Sequence, residues 1–375
     1  MQKKIKLVFF HPYSSLGGAD NSLGRLISNL NKRYFSITFV SLKKSILQNK
    51  IDNKIQFINL NSNRAIFNVI ALRRILEQNI QSRKYEKVIL ISNQNFANII
   101  SYLSSIKLHK IKKIFIERNH LDELDYYEGI LKFVKRKIIK ILMKYTYKKA
   151  DKVVAICKEL SKDLSAHVKR SVITIYSPSN DKKIFKLQHS KINFKFLKNK
   201  IYIINVSRFS EYKGQMDILR AICPILKYKN NLILILIGYG EYKKKLLNFI
   251  KNNNISGKVK IIDNCNNPYP YIKKSNLFVF SSNYEGFPNV INEALMLDTP
   301  VISSNCKSGP KEMLLNGRGG DFYPKKDYIT LRKLIEKFLK NPKKLKNKMK
   351  IAKKELWKFT INRHVKFYHN LFLNI

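Results

Sequence analysis

Short apolar runs alternate with longer amphipathic segments along this chain, and that alternation is the feature that most restricts its fold. In the first series the pattern predicts strands at Lys6–His11, Ile37–Ser41, Gln56–Leu60, Lys87–Ser92, Lys113–Glu117 and Lys152–Ile156. Predicted helices fill the gaps at Ser22–Asn31, Phe67–Gln78, Asn95–Ser105 and Ile130–Ala150. Such an order is typical of a doubly wound α/β domain with a parallel sheet.

A second series of the same kind begins near residue 200. Its predicted strands are Ile201–Val206, Leu232–Ile237, Val259–Asp263, Leu277–Ser281 and Thr299–Ser303, and its predicted helices are Gln215–Ile225, Glu241–Asn252 and Val290–Leu297. Two series predict two Rossmann-like domains facing a cleft, joined through the Lys-rich connector Ser177–Lys200. We expect an N-terminal domain over 1–185, a C-terminal domain over 186–355, and a C-terminal helix over 356–375 that packs back on the first domain.

The chain is strongly basic. It has 73 Lys and Arg against 25 Asp and Glu, a formal charge of +48. Because 45% of its residues are hydrophobic, it can build full cores, which argues against a disordered polybasic protein. A surface this positive attracts anionic lipid, nucleic acid or nucleotide phosphates. Lys, Asn and Ile are abundant throughout, so the base composition of an AT-rich genome is an alternative explanation.

The segment Ser281–Ala294 is the most informative motif. A predicted strand ends at Ser281, a turn with Gly286 follows, and Pro288 stands where a helix can begin. Backbone N–H groups at a helix start can bind phosphate or sugar oxygens. Glu285 and Glu293 are suited to accept hydrogen bonds from pairs of hydroxyls. The alternative is a surface Glu and a Glu that stabilises a helix.

A second motif, Val206–Gln215, also follows a predicted strand. Arg208 and Lys213 lie where the strand turns into a helix. There an Arg fork and a Lys point charge could hold a diphosphate. In a chain with 73 basic residues, the pair has little weight by itself.

Together these segments resemble the retaining glycosyltransferases of family 4, which have the GT-B fold. Glu285 and Glu293 match the E-x7-E motif of that family, and Val206–Gly214 is similar to its V-G-R-L…K-G segment, with Ser207 replacing the usual Gly. Gly17-Gly18-Ala19 resembles its G-G-A-E-R loop, but Asp20-Asn21 replaces Glu-Arg. The resemblance continues through Ala294–Pro300 and Ser308–Glu312.

The resemblance implies a role for each matching residue. Arg208 and Lys213 would hold the diphosphate of the donor and stabilise charge as the sugar bond breaks. Glu285 would bind hydroxyls of the donor sugar, and Glu293 those of the ribose. Backbone N–H groups would come from Gly286, Phe287 and Asn289, and Gly18 would let the backbone approach the diphosphate.

His120 is the candidate on the opposite side of the site. It follows the predicted strand at Lys113–Glu117, and in the family a His after such a strand lies near the donor sugar. The alternatives are a loop His without a role, and His11 in its place. No metal site or other cofactor is expected: Asp122-Glu123-Leu124-Asp125 is not a D-x-D motif, and GT-B enzymes use basic residues and helix dipoles instead.

The segment Ile130–Lys149 is both basic and amphipathic. We expect its apolar face to pack into the domain and its Lys and Arg residues to face anionic lipid. An ordinary domain helix with a solvated basic face is the alternative. The longest aliphatic run, Leu232–Ile237, is too short to cross a bilayer. A soluble or peripheral protein is therefore expected, and the resemblance implies a cytoplasmic one, peripheral on the inner face of the cytoplasmic membrane.

The function implied by the resemblance is transfer of a sugar from a nucleotide-sugar, UDP-linked in our reading, to a polyprenyl-linked or surface-glycan acceptor. One alternative is a GT-B protein that is not a transferase, such as a nucleotide-sugar epimerase. A second alternative, motivated by charge, is a polyanion- or nucleic-acid-binding protein. No specific nucleic-acid partner is expected, because the chain carries no recognisable binding motif.

Overall fold

The computed structural model describes residues 3–13, 18–49, 51, 54–125, 129–179 and 182–375. Backbone proximity divides the chain into two compact units. Unit 1 comprises Met1–Pro178 and Ile361–Ile375, and unit 2 comprises Ser179–Thr360.

The described strands of unit 1 form a parallel sheet in the order β3-β2-β1-β4-β5-β6-β7. They are β1 (Lys4–Phe10), β2 (Phe35–Ser41), β3 (Gln56–Asn59), β4 (Tyr85–Asn93), β5 (Ile111–Glu117), β6 (Lys152–Ala155) and β7 (Ile173–Thr174). Leu7, Val8, Phe9 and Phe10 of the central β1 are fully buried. A strand that is apolar on both faces must be covered on both, as a doubly wound sheet allows.

Helices of unit 1 follow the strands in the order expected for right-handed crossovers. They are α1 (Gly18–Asn29), α2 (Val69–Gln81), α3 (Asn95–Ser104), α4 (Ile130–Thr146) and α5 (Lys158–Val168), joined by α14 (Ile361–Leu373) from the far end of the sequence. The helix α14 packs against α1. Its buried Phe372 ring lies 5.8 Å from that of Phe35 and 6.4 Å from that of Phe9.

Unit 2 has a second parallel sheet, whose described strands follow the order β10-β9-β8-β11-β12-β13. They are β8 (Ile201–Val206), β9 (Leu232–Ile237), β10 (Val259–Ile262), β11 (Leu277–Phe280), β12 (Val301–Ser304) and β13 (Asp321–Tyr323). Its helices are α6 (Lys183–Leu187), α7 (Gln215–Tyr228), α8 (Lys243–Asn252), α9 (Tyr269–Lys274), α10 (Asn289–Met296), α11 (Pro310–Met313), α12 (Tyr328–Lys340) and α13 (Pro342–Lys354). Open α/β folds bind ligands beyond the carboxyl ends of their strands. In unit 1 these are the ends of β1, β4 and β5, and in unit 2 they are the ends of β8, β11 and β12.

The fold class predicted from the sequence is confirmed: each unit is a Rossmann-like parallel sheet covered by helices. Every predicted strand is present, with ends shifted by a few residues at most. The prediction omitted the strands β7 and β13 and the helices α5, α6, α9, α11 and α12. The omission of α9 has a clear reason, since Pro268 and Pro270 argue against a helix unless they fall in its first turn, where they lie here.

The unit boundaries differ from the expected 185/186 and 355/356. The first lies at 178/179, because α6 packs with α9 inside unit 2 and the Ser179 N–H donates to the Phe359 carbonyl, 3.1 Å away. The second lies at 360/361, because Leu356 and Phe359 are buried in unit 2. Only the helix that follows joins unit 1.

The expected packing of α4 is wrong. The face we expected to pack inside is exposed at Leu131 (87%), Val134, Ile138, Ile141 and Tyr145. The helix instead contacts the core of unit 1 through a narrower stripe that contains Ile139 and Met143. None of the described helices has the length and apolar run needed to cross a bilayer.

Candidate functional site

A close backbone approach in unit 2 fixes the loop between β8 and α7. Gly214 has a φ of +69°, a conformation that strains other residues, and a Cβ there would lie 2.1 Å from the Ser281 carbonyl oxygen at the end of β11. Glycine alone therefore allows the loop after β8 to lie against the loop after β11.

Hydrogen bonds and a ring stack join the same two loops. The Ser281 hydroxyl donates to the Lys213 carbonyl at 2.7 Å, and the Asn283 N–H donates to the Tyr212 carbonyl at 2.7 Å. The rings of Tyr212 and Tyr284 stack with centroids 4.7 Å apart and planes within 10°. The two loops thus hold each other in one arrangement.

Lys213 and Glu285 form an ion pair across these loops. The Lys213 Nζ lies 2.5 Å from Glu285 Oε1, and the Ser282 hydroxyl donates to the same oxygen at 2.7 Å. Each charged side chain is 16% exposed. Burial works to lower the pKa of Lys213, but the Glu285 carboxylate, with smaller contributions from Tyr212 and Cys306, raises it above the usual lysine value. Lys213 is therefore a cation held in place by a carboxylate.

The backbone of Glu285 is fixed from the β12 side. Its N–H donates to the Lys307 carbonyl at 2.8 Å, and its carbonyl accepts from the Ser308 N–H at 3.0 Å. The nearby Cys306 is buried, and burial, reinforced by the Glu285 charge, raises the pKa of its thiol to about 12. Cys306 is thus a neutral thiol at physiological pH and not a nucleophile.

The remaining residues of this motif lie at the start of α10. Gly286 and Asn289 are half-buried, and the buried Phe287 ring lies 5.4 Å from that of Phe359. The buried side-chain oxygen of Asn289 has no hydrogen-bond partner in the described residues. Glu293 is half-buried, one turn into α10. The start of α10 therefore carries an unsatisfied side-chain oxygen at Asn289 in the part of the chain that the structure describes.

Arg208 is the exposed cation of the site. Its guanidinium carbon lies 5.6 Å from the centre of the Tyr239 ring, which follows β9. Its carbonyl accepts from the Gln215 side chain at 2.8 Å. The loop is thus fixed while the guanidinium stays accessible, as a clamp for an anionic ligand requires.

Sequence reasoning missed the groups that position these charges, chiefly Tyr212, Tyr284 and Ser282. A signal was present: a tyrosine directly precedes both Lys213 and Glu285. Two aromatic residues at matching positions of adjacent loops can stack and so fix the charges that follow them.

In unit 1, His120 is buried and both of its ring nitrogens are bound. Nδ1 lies 3.1 Å from both the backbone N and the Oδ1 of Asp122, and Nε2 lies 2.9 Å from Asp163 Oδ2. His120 thereby caps the short helix 121–124. The structure does not leave a ring nitrogen open for a ligand in this conformation.

The start of α1 carries the segment that resembles the N-terminal glycine-rich loop of the family. Gly18 is exposed in the first turn, and Gly17 lies outside the described residues. Asp20, which stands where the family has Glu, lies 2.9 Å from His11 Nε2, and both side chains are buried. His11 is therefore engaged by the residue that departs from the family motif.

A buried pair at the end of β5 escaped sequence reasoning. Arg118 donates to Asn93 Oδ1 at 2.9 Å and to the Ser22 hydroxyl at 3.0 Å, so it ties β5 to β4 and α1. Burial raises the pKa of Glu117 to about 7 despite a hydrogen bond from Tyr147. The sequence shows two adjacent charged residues at the end of a predicted strand, but it does not show that they are buried.

Across the described ranges of both units, no group of three or more His, Cys, Asp and Glu side chains could hold a metal ion.

Comparison with known proteins finds a family model that matches most of unit 2. Residues 188–356 match the family model described as glycosyl transferases group 1. The matched range contains Arg208, Lys213, Glu285 and Glu293, so the unit 2 part of the candidate site lies within the group 1 region, and the unit 1 residues Gly18 and His120 lie outside it.

Two curated relatives also carry glycosyltransferase names. An uncharacterized glycosyltransferase of Methanocaldococcus jannaschii is 34% identical over 57% of this chain and 55% of its own. The N-acetylgalactosamine-N,N'-diacetylbacillosaminyl-diphospho-undecaprenol 4-alpha-N-acetylgalactosaminyltransferase of Campylobacter jejuni is 37% identical over 31% of each chain. The chain thus spans about half or less of the length of these relatives.

A solved structure extends the comparison to both units. The Anabaena protein HepE in complex with UDP superposes with a TM-score of 0.77 at 15% identity, over 99% of this chain and 100% of its own. At that identity the likeness concerns the fold alone. The chain has the GT-B fold.

Proposed function

We propose that this protein is a retaining glycosyltransferase that moves a sugar from a UDP-sugar to a lipid-linked or surface-glycan acceptor. The observation that carries the proposal is the Lys213–Glu285 pair, fixed at the ends of β8 and β11 inside the group 1 region. The UDP complex of HepE and the diphospho-undecaprenol acceptor in the name of the Campylobacter jejuni relative support the donor and acceptor classes.

In unit 2, Arg208 and Lys213 would bind the diphosphate, and Glu285 would accept hydrogen bonds from donor-sugar hydroxyls. Glu293 would bind the ribose, and N–H groups of Gly286, Phe287 and Asn289 would support the sugar and phosphate. The fixed Glu285 backbone favours this assignment, because a preorganised carboxylate needs no rearrangement on binding.

From unit 1, Gly18 would allow the backbone close to the diphosphate, and His120 would contact the donor sugar. His120 can do so only if the sugar replaces one of its present partners, Asp163 or the Asp122 N–H. The role proposed for His120 therefore requires a change of conformation.

The proposed reaction breaks the bond between the sugar C1 and the diphosphate oxygen and forms a bond from C1 to the acceptor oxygen on the same face. The leaving diphosphate takes the acceptor's proton. Arg208 and Lys213 would neutralise the charge that develops on it, the work that a metal ion does in other transferases.

We also propose a peripheral location on the cytoplasmic face of the membrane, where a polyprenyl-linked acceptor would be met. The support is α4, which carries Lys132, Arg136, Lys140 and Lys144 and has no acidic residue between 129 and 150. Each such cation contributes about 1 kcal/mol near an anionic leaflet, and Lys140 contributes less because Asp125 already pairs with it.

A donor screen tests the function. Purified protein is incubated with single nucleotide-sugars and short acceptors, and the product is identified by mass and by the NMR coupling of its anomeric proton. Transfer with retained configuration is expected. An inverted product would overturn the retaining assignment, interconversion of the donor sugar would favour an epimerase, and salt-dependent DNA binding without turnover would favour a polyanion-binding protein.

A further inference from the structure

Unit 1 exposes a second apolar cluster, away from the long face of α4. It lies on the short 3₁₀ helix 65–68 and the first turn of α2, where Phe67 is 73% exposed and Ile70 is 64% exposed, with Ile66 beside them. Isolated exposed apolar residues are common, but three within one turn form a patch of the kind found at binding surfaces.

The segment that carries these residues is firmly anchored. Ala65, Leu72 and Leu76 are fully buried in the core of unit 1, and the Asn68 side chain donates to the Arg64 carbonyl at 2.8 Å. The fold thus directs Ile66, Phe67 and Ile70 outward, and their exposure does not result from a loose loop.

The patch lies at the same edge of unit 1 as the start of α4. The helices α2, α3 and α4 pack in succession, and each begins beyond the carboxyl ends of the strands. Phe96, in the first turn of α3, lies under the Lys135 ammonium of α4, 5.9 Å from its ring centre. The helix α3 contacts both the 3₁₀ helix 65–68 and α4, so it lies between the patch and α4, whose first residue, Ile130, is 81% exposed.

Positive charge predominates around this edge, although Glu77 pairs with Arg73 of α2 and Asp125 pairs with Lys140 of α4. The sequence has no Asp or Glu from 54 to 76 or from 129 to 150, whereas Arg64, Arg74 and Lys132 flank the apolar residues. Apolar side chains surrounded by cations fit the interface of an anionic bilayer, where acyl chains lie below phosphate groups.

We propose that Ile66, Phe67 and Ile70, together with Ile130 and Leu131, form a membrane-insertion edge that enters the acyl boundary of an anionic bilayer. The insertion edge extends the membrane part of the proposed function and does not depend on the sugar reaction. It predicts two components of binding: an electrostatic one that salt removes, and an apolar one that salt leaves.

Vesicle pelleting with phosphatidylcholine and phosphatidylglycerol at low and high salt separates the two components. The double variant Phe67→Ser with Ile70→Ser should lose the salt-resistant binding by about tenfold or more, because buried apolar area sets that component. The matched control, Phe185→Ser with Ile329→Ser, changes two exposed apolar residues of unit 2 and should bind like wild type. Wild-type binding by the double variant at high salt would overturn the proposal.

The charge of α4 is tested in parallel. Changing Lys132, Arg136, Lys140 and Lys144 to Gln should remove the low-salt component and leave the salt-resistant one. If the quadruple variant keeps full binding at low salt, the electrostatic proposal for α4 fails while the insertion edge stands.

Tryptophan fluorescence measures insertion directly. The chain has one tryptophan, Trp357, so Phe67→Trp in a Trp357→Phe background gives a single reporter. Its emission should shift to the blue with vesicles and be quenched by brominated acyl chains, while Phe185→Trp in the same background should do neither. Unchanged emission from residue 67 in protein that pellets with vesicles would show that the edge does not insert.

Discussion

The ammonium of Lys213 and the carboxylate of Glu285 lie 2.5 Å apart, although 72 residues separate them in the sequence. Both are largely withdrawn from solvent, so removing either leaves the other charge without its partner. The pair therefore stabilises the structure of the site as well as taking part in any chemistry there. A variant that is to separate the structural role from the chemical role must keep the hydrogen bonds of the pair.

Glu285→Gln is the variant that makes this separation. The amide oxygen can still accept from Lys213 and Ser282, so the fold should persist, although the thermal midpoint should fall because the Lys213 charge loses its partner. Transfer should fall by about a hundredfold or more, because a negative charge beside the sugar is lost. Initial rates and calorimetry measure the two effects. Glu241→Gln, at an exposed site of the same unit, is the control, and a wild-type rate for Glu285→Gln would remove Glu285 from the site.

Arg208→Ala combined with Lys213→Ala tests the diphosphate clamp. Affinity for the nucleoside diphosphate should fall by at least about tenfold, since each charge-assisted hydrogen bond contributes roughly 1.5–3 kcal/mol. Affinity for the nucleoside should change much less. Titration calorimetry with both ligands distinguishes a lost clamp from general damage, which would weaken both equally. Lys244→Ala removes an exposed charge from unit 2 and should have no effect.

A chelator separates metal-free from metal-dependent transfer. If Arg208 and Lys213 neutralise the leaving diphosphate, as a metal ion does in other transferases, activity should survive excess EDTA. Complete loss that manganese restores would contradict that role. The measurement is the transfer rate before and after chelation, with a metal-dependent phosphatase as a positive control for the treatment.

The sequence was sufficient for the fold because strand and helix periods are local properties. The run Leu232–Ile237 has the length of a buried strand and is followed by Gly238, and β9 has those bounds. Which face of α4 is buried could not be predicted from the sequence. Its sequence carries enough apolar residues for two stripes, and which stripe is buried depends on Tyr147, Ala150 and Leu164 packing beneath it.

Part of the candidate site could be predicted from the sequence and part could not. Lys213 and Glu285 each followed a predicted strand, so their edge of the sheet was foreseeable. Their direct contact was not, because it depends on the close approach of Gly214 to Ser281. For His120, the sequence indicated a loop but not the burial of the ring or its bonds to Asp163 and the Asp122 N–H.

Gly214→Ala should be costly. The added Cβ would meet the Ser281 carbonyl at 2.1 Å, and the φ of +69° strains any L side chain, so the expected loss of stability is about 3 kcal/mol or more. Gly257→Ala is the matched control, because a Cβ there meets nothing within 4 Å and φ is not positive. Chemical denaturation of both variants measures the difference. Equal stability would mean that the two loops separate readily.

His364 should make unit 1 sensitive to acid. Its Nδ1 donates to the Tyr176 carbonyl at 2.6 Å, and burial lowers its pKa to about 3. The folded state keeps the ring neutral while the unfolded chain takes a proton below about pH 6.5, so the stabilising contribution is present above that pH and is lost toward pH 3. At pH 5 the loss is about 2 kcal/mol.

Calorimetry of His364→Gln from pH 8 to pH 5 checks this expectation. The variant should lose about 2 kcal/mol less than wild type over that range, while His109→Gln, at an exposed histidine, should behave like wild type. The raised pKa of Glu117, about 7, acts with the opposite sign, because its contribution is present below about pH 4.5 and is lost as the pH rises to 7. A parallel fall for His364→Gln and wild type would show that this ring is protonated without cost.

The return of α14 to unit 1 affects the order in which the chain can fold during synthesis. Phe9 and Phe35 leave the ribosome early, but Phe372, which packs against both, is made only after all of unit 2. Until then an apolar surface of unit 1 stays uncovered, while unit 2 has every residue of its own core. Unit 2 can therefore finish folding first, although its codons come second.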